Sequence, residues 1–526
     1  MLLPSLRMAE VAAPVARAPR TTFLHNVLWG WTGVGVNIVI GIVLAPIIIA
    51  RLGVAQYGLW VLLFSMLDYL RMLDFGFRAA VVNGCARFRA RDDWDGVNRT
   101  VTTALVYFFV TGLICCAFPI VFSEQAIVLF NVPAELREES RVLIAVIAVS
   151  VGMRLILSPL TATLEAFQRF DLVNRAYISA LVFRSVGSLA VLFAGYGLVA
   201  MAWIILIAQI GENVWNYASV RKVVRGFRIS PALVRMDTLR ALFGYGRHSA
   251  VMVIANMFSL QAPATIIGLL RGPVEVGIFA LPQRLLLYSA EAFGKVSDVT
   301  SSVTAELDET RSRERVWRIA VLTNRSCFTL FMPAAIFLAL YGPALLRLWV
   351  PDIAEASAPL LQVMVIYFLF AVAGQYNAGA VLLGQARHAP YAWGIVAEVV
   401  LTVCALFVVI PLYGVLGAAW VVTLAILLLR GVYLAILICR VNGFSIAAYV
   451  RAIYARPLLV AVPVSAGAIV LHRLLPGSTW PELIAVAAAI ALVYYTLGFF
   501  LILEPAHRAG ILARLGWSSG AKQANV

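Results

Sequence analysis

Residues 57–91, YGLWVLLFSMLDYLRMLDFGFRAAVVNGCARFRAR, decide how the chain is read. The run is apolar and long enough to cross a bilayer, yet it carries Asp68, Arg71, Asp74 and Arg78. On one continuous helix these four positions fall within an arc of about 120°, so they share a face while Leu, Val, Phe and Met cover the rest. One such charge at mid-membrane costs roughly 2.5–3.5 kcal/mol, and four unpaired ones on the order of 10 kcal/mol. That face must therefore meet protein or water, not lipid. Two readings stay open: Asp68 with Arg71 and Asp74 with Arg78 as structural pairs at helical spacing, or a polar pathway.

The rest of the sequence has the same character. Of 526 residues, 62% are hydrophobic and 13% charged, with a mean hydropathy of +0.92, whereas soluble domains carry about 25% charge. Apolar segments of about 20 residues recur without the alternation of a barrel, so they are read as helices. The fold class expected is an all-α polytopic membrane protein of about fourteen spans. The net charge of +15 sits in short loops between spans, which the positive-inside rule explains without nucleic acid. Cys85, Cys115, Cys116, Cys327, Cys404 and Cys439 show no metal or disulfide spacing. The first apolar run is too long for a cleaved signal peptide and reads as a retained span.

The division expected is a cytoplasmic tail over 1–23, a six-helix lobe over 24–220 and a basic connector over 221–247. A second six-helix lobe then covers 248–440, and 441–526 holds two more helices and a tail. The tail, the even-numbered loops and the C-terminus hold about 27 Lys and Arg against about 6 on the other side, which places both termini in the cytoplasm. The lobes read as duplicates. YGLVAMAW at 196–203 recurs as YGVLGAAW at 413–420, Gln168 as Gln385, and Ala45-Pro46 as Ala262-Pro263, all displaced by 217 residues. The same displacement sets Asp74 and Arg78 on Glu291 and Lys295, whereas Gly58 matches Gly277 only with two residues inserted. An even number of spans per repeat makes the lobes parallel, with a pathway between them.

The stretch RLGVAQYGLWVLLFSMLDYLRMLDFGFRAAV at 51–81, with its YGLW opening and its turn from Asp74 to Gly76, and the QRF and GQAR loops near 168 and 385, carry a resemblance. The chain resembles the polysaccharide exporters that flip lipid-linked oligosaccharides (Wzx-type O-antigen flippases), in the superfamily that also holds multidrug and toxin extruders. The resemblance implies two six-helix lobes forming a V and movement of a polyprenyl-diphosphate-linked glycan across the plasma membrane for cell-surface or extracellular polysaccharide. Diphosphate and sugars are what cannot cross hydrocarbon unaided, and Arg or Lys suits the diphosphate.

The head-group contacts expected are Arg71, Arg78, Arg284 and Lys295, with Arg154, Arg184, Arg325 and Arg430 behind them. Asp68, Asp74, Glu291 and Asp298 are expected as charge partners or ion-coupling groups. Asn37, Asn256, Gln375, Tyr376 and Asn377 could hold sugars, with polar helix packing the stronger reading for each. The partners implied are the lipid-linked oligosaccharide, membrane lipids and a polymerase or ligase.

A cation-coupled multidrug antiporter is the alternative, but it needs a carboxylate among apolar walls, and here each key acid has a cation nearby. A glycosyltransferase or polymerase needs a large outer loop or an acid cluster, and a scaffold leaves the duplicated charged faces unexplained. Gly30, Gly33 and Gly35 lie in a span with no strand before them, and no phosphate-loop lysine motif is present. No cofactor, metal or enzyme activity is expected.

Overall fold

The computed structural model describes residues 20–503 except 75, 310–312 and 386, together with 505 and 508; at some helical positions, 37, 71, 244–250, 291, 295 and 298 among them, only the backbone is described. Among the described residues the chain forms helices and turns and no strand. In hydrocarbon each peptide group must find its partner within the segment, so apolar runs of this length coil.

The helices are α1 (Arg20–Leu52), α2 (Val54–Asp68), α3 (Phe77–Arg89), α4 (Trp94–Val121), α5 (Ser123–Leu129), α6 (Arg137–Ile156), α7 (Ser158–Ala166), α8 (Phe170–Phe193) and α9 (Leu198–Val223). After a linker come α10 (Met236–Arg271), α11 (Pro273–Glu309), α12 (Arg313–Trp349), α13 (Ala354–Tyr367), α14 (Gly374–Gly384), α15 (Ala389–Ile426) and α16 (Leu434–Asn442). The chain closes with α17 (Ile446–Val450), α18 (Arg456–Leu474) and α19 (Trp480–Leu501). Helix α10 starts inside the stretch read as connector, because Leu239, Leu242 and Phe243 are apolar at helical spacing and pack against the core around Phe77, Phe243 edge-on to Phe77 at 4.4 Å.

Ten segments among the described residues are long and apolar enough to cross a membrane. One of them, Ala389–Asn442, has 54 residues and would run about 80 Å at 1.5 Å per residue, far beyond a hydrocarbon core of roughly 30 Å. It breaks at Gly414 (φ 61, ψ −154) and crosses twice. Helix α1, the α2–α3 pair and the charged α11 complete an all-α polytopic membrane fold.

The stretch 57–91 is not the single helix its hydropathy suggested. After Asp68 the chain tightens into a 3₁₀ segment, Tyr69–Asp74, and restarts as α3 behind Gly76, whose φ of 75° is left-handed. Asp74 Oδ1 accepts the Arg78 backbone N–H at 3.0 Å, holding the restart. Carbonyls released by the break find donors on α4: Tyr107 Oη donates to Leu73 O at 2.7 Å, and Cys115 Sγ lies 3.6 Å from Leu70 O. This is the condition under which broken helices persist in membranes. The shared arc computed for one helix therefore does not apply across residues 69–76.

The duplication shows in the backbone. Gly53 (φ 86) joins α1 to α2 and Gly272 (φ 85) joins α10 to α11; Gly226 (φ 61) follows α9 and Gly443 (φ 63) follows α16. At these positive φ values a Cβ is strained, so glycine is required. The two halves share one apolar core at the end where α2 and α11 begin, with Leu59 and Leu62 packed among Ile267 and Phe279. There the backbones nearly touch: a Cβ on Gly58 would lie 1.7 Å from the Pro273 carbonyl oxygen. At the opposite end the cores are separate, one around Phe77, Val101, Leu164 and Val220 and another around Ala320, Leu382, Ile438 and Tyr449.

Candidate functional site

Between the halves lies a cavity of about 490 Å³, walled by α1, α2, α6, α8 and α9 on one side and by α10, α11 and the end of α12 on the other. Four charged side chains line it: Asp68, Arg154, Arg184 and Arg284. Each Arg comes from a different helix, α6, α8 and α11, so only the tertiary fold brings them together. The Arg154 Nε donates to Gln209 Oε1 at 2.9 Å. The Arg184 guanidinium stands 5.9 Å from the Tyr177 ring centroid, and Arg284 5.6 Å from that of Tyr288. Such contacts orient a guanidinium over a ring face. Glu212 on α9 feels both Arg154 and Arg184, so with it and Asp68 counted the described side chains of the site carry an excess of one positive charge.

Asp68 closes the cavity on one flank by accepting from Gln261 Nε2 on α10 at 3.0 Å. One turn away Ser65 Oγ donates to the Gln261 carbonyl at 3.3 Å, and Thr265 Oγ1 lies 3.3 Å from both the Ser65 and Tyr69 hydroxyls. These bonds join α2 and its 3₁₀ extension to α10; the hydroxyl pairs contribute about 0.5–1.5 kcal/mol each and the bond to the Asp68 carboxylate about 1.5–3 kcal/mol. The other side of α10 is held differently. Arg430, on a π-helical turn (Leu427–Tyr433), reaches both oxygens of Glu398 at 2.7 and 3.0 Å, and Ser259 donates to Glu398 at 2.5 Å. Glu398 is 1% exposed, and removing one partner of such a buried pair costs roughly 3–5 kcal/mol.

The residues expected from sequence part company here. Arg284 and Asp68 line the cavity, as do Arg154 and Arg184 from the second rank. Arg78 does not line it; its guanidinium meets Glu165 of α7 at 2.5 Å, within the first half, while Asp74 serves the α3 backbone. Arg325 is buried on α12 and Arg430 is bound to Glu398. The side chains of Arg71, Glu291, Lys295, Asp298 and Asn37 lie outside the described residues. Asn256 donates to Met252 O on its own helix at 2.8 Å. Gln375 donates to Tyr454 Oη at 2.9 Å, and the Asn377 amide donates to Cys327 Sγ at 3.3 Å; both are packing groups inside the second half. Gln261 was not anticipated, although it directly precedes the repeated Ala-Pro step.

The family model described as "Polysaccharide biosynthesis protein" matches residues 23–290. No curated protein matches the chain. Among solved structures, the lipid II flippase MurJ in an inward closed conformation superposes with a TM-score of 0.67 at 12% identity, covering 92% of this chain and 99% of that one. An inward-facing multidrug resistance MATE family transporter of the MOP superfamily gives 0.65 at 14%, covering 83% and 97%. An outward-facing MATE transporter of the same superfamily gives 0.57 at 15%, covering 82% and 97%. The fold is that of these transporters, and by its sequence match over half its length the chain belongs to the polysaccharide biosynthesis protein family.

Proposed function

We propose that the chain is a flippase that carries a polyprenyl-diphosphate-linked oligosaccharide from the cytoplasmic to the outer leaflet of the plasma membrane, with no chemistry performed on its cargo. The observation that carries this reading is the cavity whose described lining holds three guanidiniums and one carboxylate, with Glu212 beside them. A diphosphate in hydrocarbon is prohibitively costly; here it meets arginine forks able to bind it bidentately. A cationic drug would meet the wrong sign. Residues 24–220 and 248–440 act as parallel lobes, with 441–526 as an addition, and rocking about the shared core exposes the cavity to either side in turn.

The Lys and Arg bias puts both termini, and the end with separate cores, in the cytoplasm. The tight Gly58–Pro273 contact then seals the outer end, and this conformation faces the cytoplasm. The delivered glycan is presented where a polymerase or ligase takes it up. Purified protein in lipid vesicles, offered a labelled polyprenyl-diphosphate sugar, should move the label to the opposite leaflet, and Arg284→Ala should lose most of that movement. Movement of cationic dyes with no movement of the labelled lipid would overturn the reading.

A further inference from the structure

Ile205 lines the polar cavity from α9, and the same face of that helix continues away from it as Gln209, Asn213 and Asn216, which fall within an arc of about 60°. All three are buried, at 4%, 7% and 2% exposed. They form a line with a direction. Arginine has donors and no acceptor, so the Arg154 Nε bond, 2.9 Å long, meets the Gln209 oxygen. That turns Gln209 Nε2 onto Asn213 Oδ1 at 3.3 Å and makes Asn213 present its Nδ2 donor to whatever follows. The next amide on the face is Asn216. Among the described residues neither Asn213 Nδ2 nor Asn216 Oδ1 finds a partner. One is a donor and the other an acceptor, three residues apart on a helix, where side chains are neighbours. Buried polar atoms left unmet are costly, and a single water lodged here accepts from the first and donates to the second.

We propose that Gln209 is a positioning residue for head-group binding, aiming Arg154 into the cavity, and that Asn213, Asn216 and a bound water between them fix which way the Gln209 amide points. The inference rests on the flippase reading and adds what sets the attitude of one of its arginines. A guanidinium is a planar fork that grips a diphosphate bidentately in one plane only, and a bond at Nε sets that plane. An amide does this without adding a charge of its own. Arg78 and Arg430, away from the cavity, are held instead by the carboxylates of Glu165 and Glu398. Without Asn213 the Gln209 amide is free to turn over, which would set its NH₂ against the guanidinium.

The test is a double-mutant cycle on the full-length protein in detergent, read as binding of inorganic pyrophosphate. Gln209→Met, which keeps the length of the side chain and removes the acceptor, should weaken that binding roughly tenfold. In an Arg154→Ala background the same substitution should change affinity by less than about twofold, because Gln209 acts through that arginine. Asn213→Leu, one bond further from the cavity, should weaken binding by a smaller factor and likewise lose its effect once Arg154 is gone; it carries the comparison by itself if Gln209→Met does not fold. Equal losses with and without Arg154 are what a merely structural role gives, and would overturn the positioning. A map of the unsubstituted protein that resolves ordered water should show one between Asn213 and Asn216, and direct contact of these two amides, or Gln209 Nε2 turned toward Arg154, would overturn the line. Normal pyrophosphate binding by Gln209→Met, in a protein that transports the labelled lipid, would overturn this inference alone. Failure of the unsubstituted protein both to transport that lipid and to bind pyrophosphate would instead overturn the flippase reading, and the positioning with it.

Discussion

The second helix of the first repeat and its counterpart in the second share a hydropathy pattern and an entry glycine, yet only the first breaks. Helix α2 stops at Asp68 and resumes as α3 beyond Gly76, whereas α11 runs unbroken for 37 residues. The register set by the entry glycines explains the difference: the displacement of 219 residues from Gly53 to Gly272 puts Lys295 where Gly76 stands, and a residue with a Cβ resists the left-handed turn. The first copy also has Asp74 to hold the new amino end and α4 side chains to take the freed carbonyls. A duplicated pattern thus preserves topology while one glycine decides whether a helix can flex. Each half both lines the cavity with arginine, Arg154 and Arg184 from the first and Arg284 from the second, and ties another to an acid, Arg78 to Glu165 and Arg430 to Glu398.

The sharpest challenge to this contrast is Glu398→Ala, which strands Arg430 and should destabilise the protein by about 3–5 kcal/mol, read as thermal unfolding in detergent. The double variant Glu398→Leu/Arg430→Leu should recover most of that loss. An equal loss in the double variant would mean that the pair is more than an anchor. Next in size, Arg154→Ala and Arg184→Ala should each reduce lipid-linked sugar transport by roughly tenfold to a hundredfold, the worth of a charge-assisted hydrogen bond of about 1.5–3 kcal/mol, with little change in unfolding temperature. Arg78→Ala, outside the cavity, should reduce transport less than either, and the opposite ranking would move the head-group site toward α3.

Smaller effects test the broken helix. Gly76→Ala should cost about 1–2 kcal/mol through left-handed strain and slow transport. Phe293→Gly, within the unbroken α11, should weaken that helix by roughly 1 kcal/mol and slow transport less than Gly76→Ala does. Smallest of all, Asp74→Asn keeps an acceptor for the Arg78 amide and should shift stability by less than about 1 kcal/mol. A change in the response of Asp74→Asn transport to proton uncouplers would instead reveal ion coupling at that carboxylate.

Much of the site was partly legible. Arg284 and Asp68 stood out because a charge inside an apolar run is costly wherever it sits, and Arg154 and Arg184 were visible for the same reason. What hydropathy could not rank was which of them converge. Arg78 had every attribute of a cavity residue except position, and its partner Glu165 lies 87 residues away. The Glu398–Arg430 pair, 32 residues apart, has no spacing signature either.

Sequence alone determined that the chain crosses the membrane as helices, because unpaired peptide groups are intolerable in lipid, and it pointed to a doubled architecture, because the YGLVAMAW segment, Gln168 and the Ala-Pro step recur at one displacement. Tertiary structure decided where α2 ends, since a helix break survives only when neighbouring side chains satisfy its carbonyls. It also decided which arginines line the shared cavity, since charges on separate helices are brought together only when those helices pack.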